Sequence, residues 1–408
     1  MKDIQSHEFI LGQFSQYYQR NSSDIEPPLS IEEREFAFFL IKDRVMLRHK
    51  GFKDVSTLRD FVKTISPSDV YYSSAYYHYP EEEMTAKGWI GADLIFDIDA
   101  DHIPTICSRQ HDTWTCKSCG SSDRGLKPER CPNCKGEKFS STNWLCEVCL
   151  ESAKRETIKL VEILESDFGF SPQEITIAFS GHRGYHVHIE KEVIRTLDAM
   201  SRKEIVDYLL GIGLKPSLHG FDLENALGPN LEDPGWRGRI AKGVFEVLVS
   251  SPEYLQKEGL SRISKDLKEQ KDLIVERWKR KGPWGLIKGI GSEGWERIIA
   301  QAVEEQSVKI DTVVTTDIHR LIRLANTLHG ETGLKKIEVP LSEIEKFDPL
   351  KEAVAFKEGM IRLLVSEAPE FRLGDVRYGP FKNAEVELPT AAALFLLCKG
   401  AARLKETN

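Results

Sequence analysis

The sequence predicts an α+β fold, a mixed β-sheet core with inserted modules. Two short β-rich runs around a Gly-rich turn, in EITIAFSGHRGYHVHIE, predict a β-hairpin. A further β-rich run, DLIFDIDAD (93–101), alternates apolar and acidic residues. Apolar residues spaced by about 3.6 predict a helix from about Glu147 to a stop at Gly169. Strands that are separated by helical segments and then resume are typical of such a core.

The segment before the acidic run predicts one helix and one strand region. Residues 31–64 are predicted to be helical, because Ser30 is a suitable N-cap in front of IEEREFAFFLI. The aromatic segment DVYYSSAYYHYP (69–80) is predicted to form strands.

The C-terminal part of the sequence is predicted to form further strands and helices of the core. Strands are predicted at VKIDTVVT (308–315) and KIEVPL (336–341). Between them, TDIHRLIRLANTLHG (316–330) has the apolar spacing of an amphipathic helix. A last helix is predicted to begin at Pro389.

These elements predict a core in three parts with two insertions. The core parts are 1–104, 151–195 and 310–408, the last ending in the C-terminal helix. Residues 105–150 form a cysteine-rich insertion, and residues 196–309 form a highly charged helical insertion with Gly and Pro breaks.

Composition indicates an ordinary soluble globular protein. The 408 residues are 29% charged and 40% hydrophobic, which allows two or three domains. No apolar signal core begins the sequence, and the longest apolar run, 391–398, is too short to cross a membrane, so an intracellular protein is predicted. The net charge of −8 argues against a protein that coats nucleic acid non-specifically.

The cysteine spacing predicts zinc. Seven of the eight cysteines lie in 107–149, and pairs of the form C-x-x-C in an intracellular protein indicate metal rather than disulfides. Zinc takes four nitrogen or sulfur ligands in a closed structural site, so eight candidates fit two sites. The candidates are Cys116, Cys119, Cys131 and Cys134 for an inner zinc ribbon, and Cys107, His111, Cys146 and Cys149 for an outer site. His102 is a weaker alternative to His111, and the isolated Cys398 is predicted to be a core residue.

The acidic strand predicts a cation site. In a strand, Leu94, Phe96 and Ile98 share one face, while Asp97 and Asp99 share the other. Two carboxylates about 4 Å apart repel by about 1 kcal/mol in water and ~4 kcal/mol at a protein surface. The simpler alternative is a solvated edge strand, on which charges discourage aggregation.

Two other segments favour the cation site. Ser180, His182 and Arg183 lie in a turn that contains Gly181 and Gly184, where backbone amides can approach an anion, and His186 follows on the returning strand. Asp311 adds a third carboxylate to its β-branched run. Each residue singly suits an ordinary surface, but together they suit metal-dependent phosphoryl or nucleotidyl transfer. The sequence has no G-x-x-x-x-G-K-[ST] phosphate loop, which disfavours a P-loop ATPase.

With these motifs in view, the protein resembles the small, catalytic subunit of archaeal and eukaryotic DNA primase. DLIFDID is similar to the family's metal-binding strand, SGHRGYHVHI to its S-G-x-R-G-x-H motif, and DTVVTTDIHRLIRLANTLHG to its third motif. The resemblance implies template-directed primer synthesis from NTPs, or from dNTPs, by two-metal nucleotidyl transfer that releases pyrophosphate. It also implies a cytoplasmic enzyme, associated with the nucleoid during replication, that acts on single-stranded DNA.

The resemblance further implies roles for individual residues. Asp97, Asp99 and Asp311 would bind two Mg²⁺ or Mn²⁺ ions, and the large primase subunit would be the partner in a heterodimer. The residues implied to hold the nucleotide phosphates are Ser180, His182, Arg183, His186, Arg323 and His329. The sequence departs from the family in two places: some relatives have Arg at the position of His182, and many have a single zinc site.

Two rival functions share some of these features. A metal-dependent phosphodiesterase or nuclease would use the same carboxylates without needing so many phosphate-directed cations. A non-catalytic zinc-ribbon adaptor would bind nucleic acid through the cysteine block and through ERWKRKGPWGLIKG (276–289).

Overall fold

The computed structural model describes residues 4–42, 44–105, 107–222, 227–250, 254–255, 272, 276, 278, 284, 287 and 290–405. Most of the basic, aromatic segment 276–289 therefore lies outside the described residues. The protein divides into two compact units, one of 1–158, 172–200 and 310–408, the other of 159–171 and 201–309. The five-part division at the sequence level stays a prediction. Within the described residues, no helix combines the length and apolar character needed to cross a bilayer.

The described strands all belong to the first unit. They are β1 (Phe36–Leu40), β2 (Val45–Lys50), β3 (Asp69–Ser73), β4 (Ala75–Tyr77), β5 (Trp89–Ala92), β6 (Leu94–Asp99), β7 (Thr113–Cys116), β8 (Ser122–Arg124), β9 (Phe139–Thr142), β10 (Ile175–Phe179), β11 (Gly184–Ile189), β12 (Leu321–Arg323), β13 (Ile337–Val339), β14 (Met360–Ala368), β15 (Phe371–Leu373), β16 (Val376–Tyr378), β17 (Phe381–Pro389) and β18 (Ala402–Leu404).

The described helices occur in both units. They are α1 (Ile4–Asn21), α2 (Val55–Ile65), α3 (Ser108–His111), α4 (Glu147–Ser166), α5 (Glu192–Arg195), α6 (Ala199–Leu210), α7 (Gly235–Ser250), α8 (Ser292–Gln306), α9 (Thr312–Thr316), α10 (Pro349–Glu352) and α11 (Thr390–Lys399).

Two four-stranded sheets form the centre of the first unit. Their strand orders are β12-β3-β1-β2 and β13-β10-β11-β6, and the paired strands within both are antiparallel. The predicted α+β class is confirmed. Strands β3, β4 and β13 and helices α4 and α11 lie where the sequence places them. Cys398 is buried in α11.

The acidic strand β6 lies at one edge of its sheet and pairs with β11 of the predicted hairpin. In this register His186 lies opposite Asp97, and Gly184 lies opposite Asp99. A Cβ at Gly184 would lie 2.1 Å from the Ile98 backbone oxygen, so only glycine permits this approach. Leu94, Phe96 and Ile98 are fully buried, as the alternation predicts. The register thus presents the carboxylates beside the hairpin turn.

The helix predicted over 31–64 is wrong. Ser30 has a left-handed backbone, makes no side-chain cap, and precedes only a 3₁₀ turn, Ile31–Glu33. The apolar run that follows forms β1, which pairs with both β2 and β3, and only α2 is helical. The periodicity of a short continuous apolar run does not distinguish a strand from a helix. Here the conformation is decided by the pairing of the run with a strand on each side.

The predictions over 308–330 are also wrong. Asp311 lies outside any strand and caps the short helix α9, accepting a hydrogen bond from the Val313 N–H. The predicted amphipathic helix is replaced by a turn and β12, which pairs with β3 at the edge of the first sheet. The apolar spacing suits a helix, but the backbone instead extends so that Arg323 lies opposite Tyr71 and pairs with Asp69.

The second unit has its own core, in which α7 and α8 pack together. Trp236, Ile240 and Val244 of α7 are buried with Trp295 and Ile298 of α8. This packing agrees with the helical pattern of the segment.

Candidate active site

Three acidic residues, Asp97, Asp99 and Asp311, come together at the edge strand β6. Asp97 and Asp99 project from the same face of the strand. The Asp311 backbone N–H donates a hydrogen bond to the Asp97 backbone oxygen, with an N···O distance of 2.8 Å. The Asp311 side chain is 25% exposed, and its Oδ2 lies 3.9 Å from Nε2 of His102. A segment distant in sequence thus brings a third acid to the pair.

The negative charges of these acidic side chains repel one another. Burial raises the pKa of Asp97 to about 7, and the charges of Asp99 and Asp311 add to the shift. Burial also raises the pKa of Asp99, followed by the charge of Asp101. Clustered carboxylates resist ionisation unless cations neutralise them, and oxygen ligands of this kind suit Mg²⁺. The arrangement therefore fits a divalent cation site.

Residues of both four-stranded sheets line one pocket above Asp97 and Asp99. Asp311 adjoins this acidic pocket through Asp97 and does not belong to its lining. The lining includes five further residues predicted for the site, namely Ser180, His182, His186, Arg323 and His329. It also includes Tyr71 and Arg320, which were not predicted. The pocket therefore joins carboxylates to groups that can bind an anion.

Burial favours the neutral form of the histidines in the pocket. The rings of His182 and His329 stack, with centroids 4.9 Å apart and an interplanar angle of 13°. Burial, followed by nearby positive charges, holds the pKa of His182, His186 and His329 well below the ordinary range. The Nε2 of His186 lies 3.6 Å from Oδ1 of Asp97. Neutral imidazoles offer one donor and one acceptor each.

Arg323 is held at the pocket by β3. Its guanidinium pairs with Asp69 and donates to the backbone oxygen of Leu328 at 3.0 Å. It also donates to the Tyr71 hydroxyl at 3.3 Å. The adjacent Lys336 amine is buried and donates to the Arg323 backbone oxygen at 2.6 Å. These contacts fix the cation at the wall of the pocket.

Arg183 lies elsewhere than the phosphate-binding prediction requires. Its side chain is fully buried and does not line the acidic pocket. Nη1 donates to both carboxylate oxygens of Asp112 at 2.8 Å, and Nη2 pairs with Asp101. Contact between Arg183 and phosphate stays a prediction, which this arrangement disfavours.

Asp112 connects Arg183 to the outer cysteine cluster, and sequence reasoning missed it. Its Oδ1 lies 2.7 Å from Nδ1 of His111 and accepts a hydrogen bond from the Trp144 N–H at 3.2 Å. The available signal was a carboxylate directly after a candidate metal ligand, because ligating histidines usually donate their second N–H to such a group.

The outer cluster brings Cys107, His111, Cys146 and Cys149 together. Three pairs of their ligand atoms lie 3.4–3.6 Å apart: Cys107–Cys149, Cys107–Cys146 and Cys149–His111. Zn–S bonds of about 2.3 Å in a tetrahedron place sulfur atoms about 3.8 Å apart. The donor set and spacing therefore fit zinc, and the structure selects His111 over His102.

The inner cluster consists of Cys116, Cys119, Cys131 and Cys134. Sγ atoms of Cys116 and Cys134 lie 3.6 Å apart, and those of Cys119 and Cys131 lie 3.7 Å apart, without disulfides. The cluster belongs to the inner ribbon, which comprises β7, β8 and β9 and buries Trp114. Its first and last strands pair, with Thr113 opposite Thr142. This donor set also fits zinc.

Comparisons with known proteins identify the family. Residues 130–342 match the family model described as DNA primase small subunit. A protein of Archaeoglobus fulgidus named DNA primase small subunit PriS is 35% identical, and the match covers 97% of both sequences. Relatives of the same name from Methanothrix thermoacetophila and Methanococcoides burtonii are 33% and 32% identical, and these matches cover at least 97% of both sequences.

The protein belongs to the DNA primase small subunit family. The resemblance inferred from its three motifs is therefore confirmed. The model of the primase small subunit family matches the range that contains the Ser180 turn and the Asp311 segment. Coverage of nearly the whole sequence by the archaeal primase small subunits extends the likeness to β6 and the N-terminal strands.

Proposed function

We propose that this protein is the catalytic subunit of a DNA primase, a nucleotidyltransferase that synthesises short primers on single-stranded DNA for replication. A 3′-hydroxyl attacks the α-phosphate of an incoming NTP, or dNTP, forming a phosphodiester bond. The bond between the α- and β-phosphates breaks, and pyrophosphate leaves. The single observation that carries this proposal is the hydrogen bond from Asp311 to Asp97, because it unites the acids of two distant motifs.

In this proposal, Asp97, Asp99 and Asp311 hold two Mg²⁺ or Mn²⁺ ions. Ions bound there would favour deprotonation of the attacking hydroxyl and neutralise charge on the leaving pyrophosphate. The pocket's own groups orient the triphosphate. Ser180 and the neutral histidines donate hydrogen bonds to phosphate oxygens, and Arg323 contributes a fixed positive charge.

The remaining parts of the proposal concern zinc, partner and location. Two structural Zn²⁺ ions occupy the outer and inner clusters, whose donor atoms all lie within 4.8 Å of one another in each group. The partner is a large primase subunit in a heterodimer, and the template is single-stranded DNA. The enzyme acts in the cytoplasm, at the nucleoid during replication.

A primer-synthesis assay tests the proposal. Wild-type protein is incubated with single-stranded template and labelled NTP, with Mg²⁺, with Mn²⁺, or with a chelator. We expect template-dependent products and pyrophosphate only with metal, and we expect neither from Asp97→Asn or Asp99→Asn. Strand cleavage without synthesis would instead indicate a nuclease. Metal-independent DNA binding with no synthesis under any condition would indicate an adaptor.

A further inference from the structure

A second cavity adjoins the acidic pocket. The two share His182 and His329, whose stacked rings form a common wall. The second cavity is also lined by Asn143, Glu331 and Lys399. Its volume is about 520 Å³, which leaves room for phosphate groups and water. Apart from these two histidines, its lining has no part in the binding proposed above.

Lys399 brings a nearly buried positive charge into this cavity. It is the last residue of α11, and its side chain is 6% exposed. Its Nζ lies 3.4 Å from Oε2 of Glu331, a residue whose side chain is 67% exposed. Such an exposed carboxylate is well hydrated and neutralises a buried ammonium only weakly.

The other carboxylate of this cavity is already engaged. Asp101 pairs with Arg183 and accepts a hydrogen bond from Nδ2 of Asn143 at 2.6 Å. Glu331 is therefore the carboxylate of this cavity that pairs with Lys399. A cavity with a buried, weakly neutralised cation favours an anionic ligand.

Lys399 also determines the proton position on His182. The Lys399 Nζ lies 3.1 Å from Nε2 of His182. An ammonium only donates, so Nε2 accepts, and the proton of the neutral ring is on Nδ1. Lys399 and the Nδ1–H of His182 are thus two donors at the boundary between the cavities.

We propose that Lys399, His182 and Asn143 form an anion subsite for the phosphate groups farthest from the α-phosphate, and for pyrophosphate as it leaves. The inference rests on the proposed function, because the acidic pocket must hold the α-phosphate. Glu331 pairs with Lys399 when no nucleotide is bound, and the phosphate replaces that carboxylate on binding. The C-terminal helix thereby contributes a nucleotide contact that none of the three sequence motifs contains.

Affinity measurements on Lys399→Met test the subsite. We expect Kd for ATP and for pyrophosphate, measured with Mg²⁺ by calorimetry, to rise about tenfold through loss of one charge-assisted hydrogen bond. AMP and single-stranded DNA should bind as they do to wild type. Lys399→Arg should restore most of the affinity. Lys351→Met, which removes a surface ion pair with Asp375, is the matched control and should bind ATP normally.

Two outcomes overturn the subsite. One is unchanged affinity of folded Lys399→Met for ATP and pyrophosphate. The other is weaker binding of single-stranded DNA with normal ATP binding, which would assign the cavity to the template. If Lys399→Met does not fold, Glu331→Gln decides, since we expect tighter pyrophosphate binding and unchanged binding overturns the proposal. Failure of the proposed function is distinguishable, because wild-type protein would then neither bind ATP nor extend a primer.

Discussion

The backbone N–H of Asp311 donates to the backbone oxygen of Asp97 at 2.8 Å. This bond fixes the start of α9 against the edge strand β6, where no further strand is paired in the described sheet. The position of the Asp311 carboxylate therefore depends on this backbone hydrogen bond as well as on the conformation of its own side chain. A conservative substitution of Asp311 can remove the negative charge and keep the backbone hydrogen bond.

Asp311→Asn should abolish primer synthesis and leave the fold intact. Asparagine also caps helices and keeps the backbone hydrogen bond, but it removes one of the three carboxylates proposed to bind the metal ions. Loss of about 4 kcal/mol of transition-state stabilisation corresponds to a rate about 10³-fold lower. Single-turnover extension with Mg²⁺ measures the rate, and thermal unfolding checks the fold. Asp375→Asn at the surface is the control. Near-normal synthesis by Asp311→Asn would remove Asp311 from the metal site.

Arg183→Ala should mainly destabilise the protein. The substitution leaves the Asp112 carboxylate, 1% exposed, without its cationic partner, and breaking such a buried pair costs about 3–5 kcal/mol. Urea unfolding should show a clearly lower midpoint. Arg377→Ala removes exposed ion pairs with Glu147 and Glu370 and should cost under about 1 kcal/mol. Normal stability with a raised KM for NTP would instead support a phosphate contact.

Asp112→Asn should weaken zinc at the outer site. Its carboxylate orients His111, and loss of such a partner typically costs 10–100-fold in metal affinity. Competition with a chromogenic chelator should show one of two zinc ions released more readily. Cys131→Ser should release the other ion, because that residue belongs to the inner cluster. Two ions held as tightly as in wild type would contradict the role given to Asp112.

Low pH should destabilise the second unit through Asp167. Burial alone would raise its pKa, but hydrogen bonds from Arg239, Ser166 and Tyr208 hold the pKa below the ordinary value. The stabilisation is therefore complete above about pH 4, the unfolded pKa, and is lost as pH falls further. Asp167→Asn should cost about 2 kcal/mol at pH 7 and much less near pH 2. Urea unfolding at both pH values measures this, and an equal cost at each would contradict the assignment.

Sequence periodicity predicted the parts of the site that depend on local pattern. Three patterns are visible within a few neighbouring residues: the alternation in β6, the glycines of the hairpin turn and the C-x-x-C spacing. Each of them therefore predicts the structure of its own segment. Asp97 and Ser180, which these patterns single out, line the same pocket, and their roles in catalysis stay predictions. The failures occur where distant residues decide the conformation. Arg323 lies in a strand because Asp69 and Tyr71 of β3 hold it, and neither partner is visible in its own segment.

For Arg183, the contacts of the side chain likewise could not be predicted from its own segment. An arginine between glycines beside a serine is typical of a phosphate-binding turn. Its partners, the part-exposed Asp101 and the buried Asp112, lie in a part of the sequence that was assigned to acids and zinc ligands. Only the folded protein shows that the charge is already neutralised. The role of Lys399 was hidden for a similar reason, since the apolar sequence of α11 resembles an ordinary core helix.

The pairing of Thr113 with Thr142 places the entry and exit of the inner ribbon side by side. A module attached through two adjacent strands can be shortened, enlarged or exchanged without moving its attachment points. Replacing 116–139 by a tight two-residue turn would join β7 to β9 directly and leave Asp97, Asp99 and Asp311 unchanged. The ribbon is thus a natural position at which a lineage, or an engineer, can attach a different module to the same core.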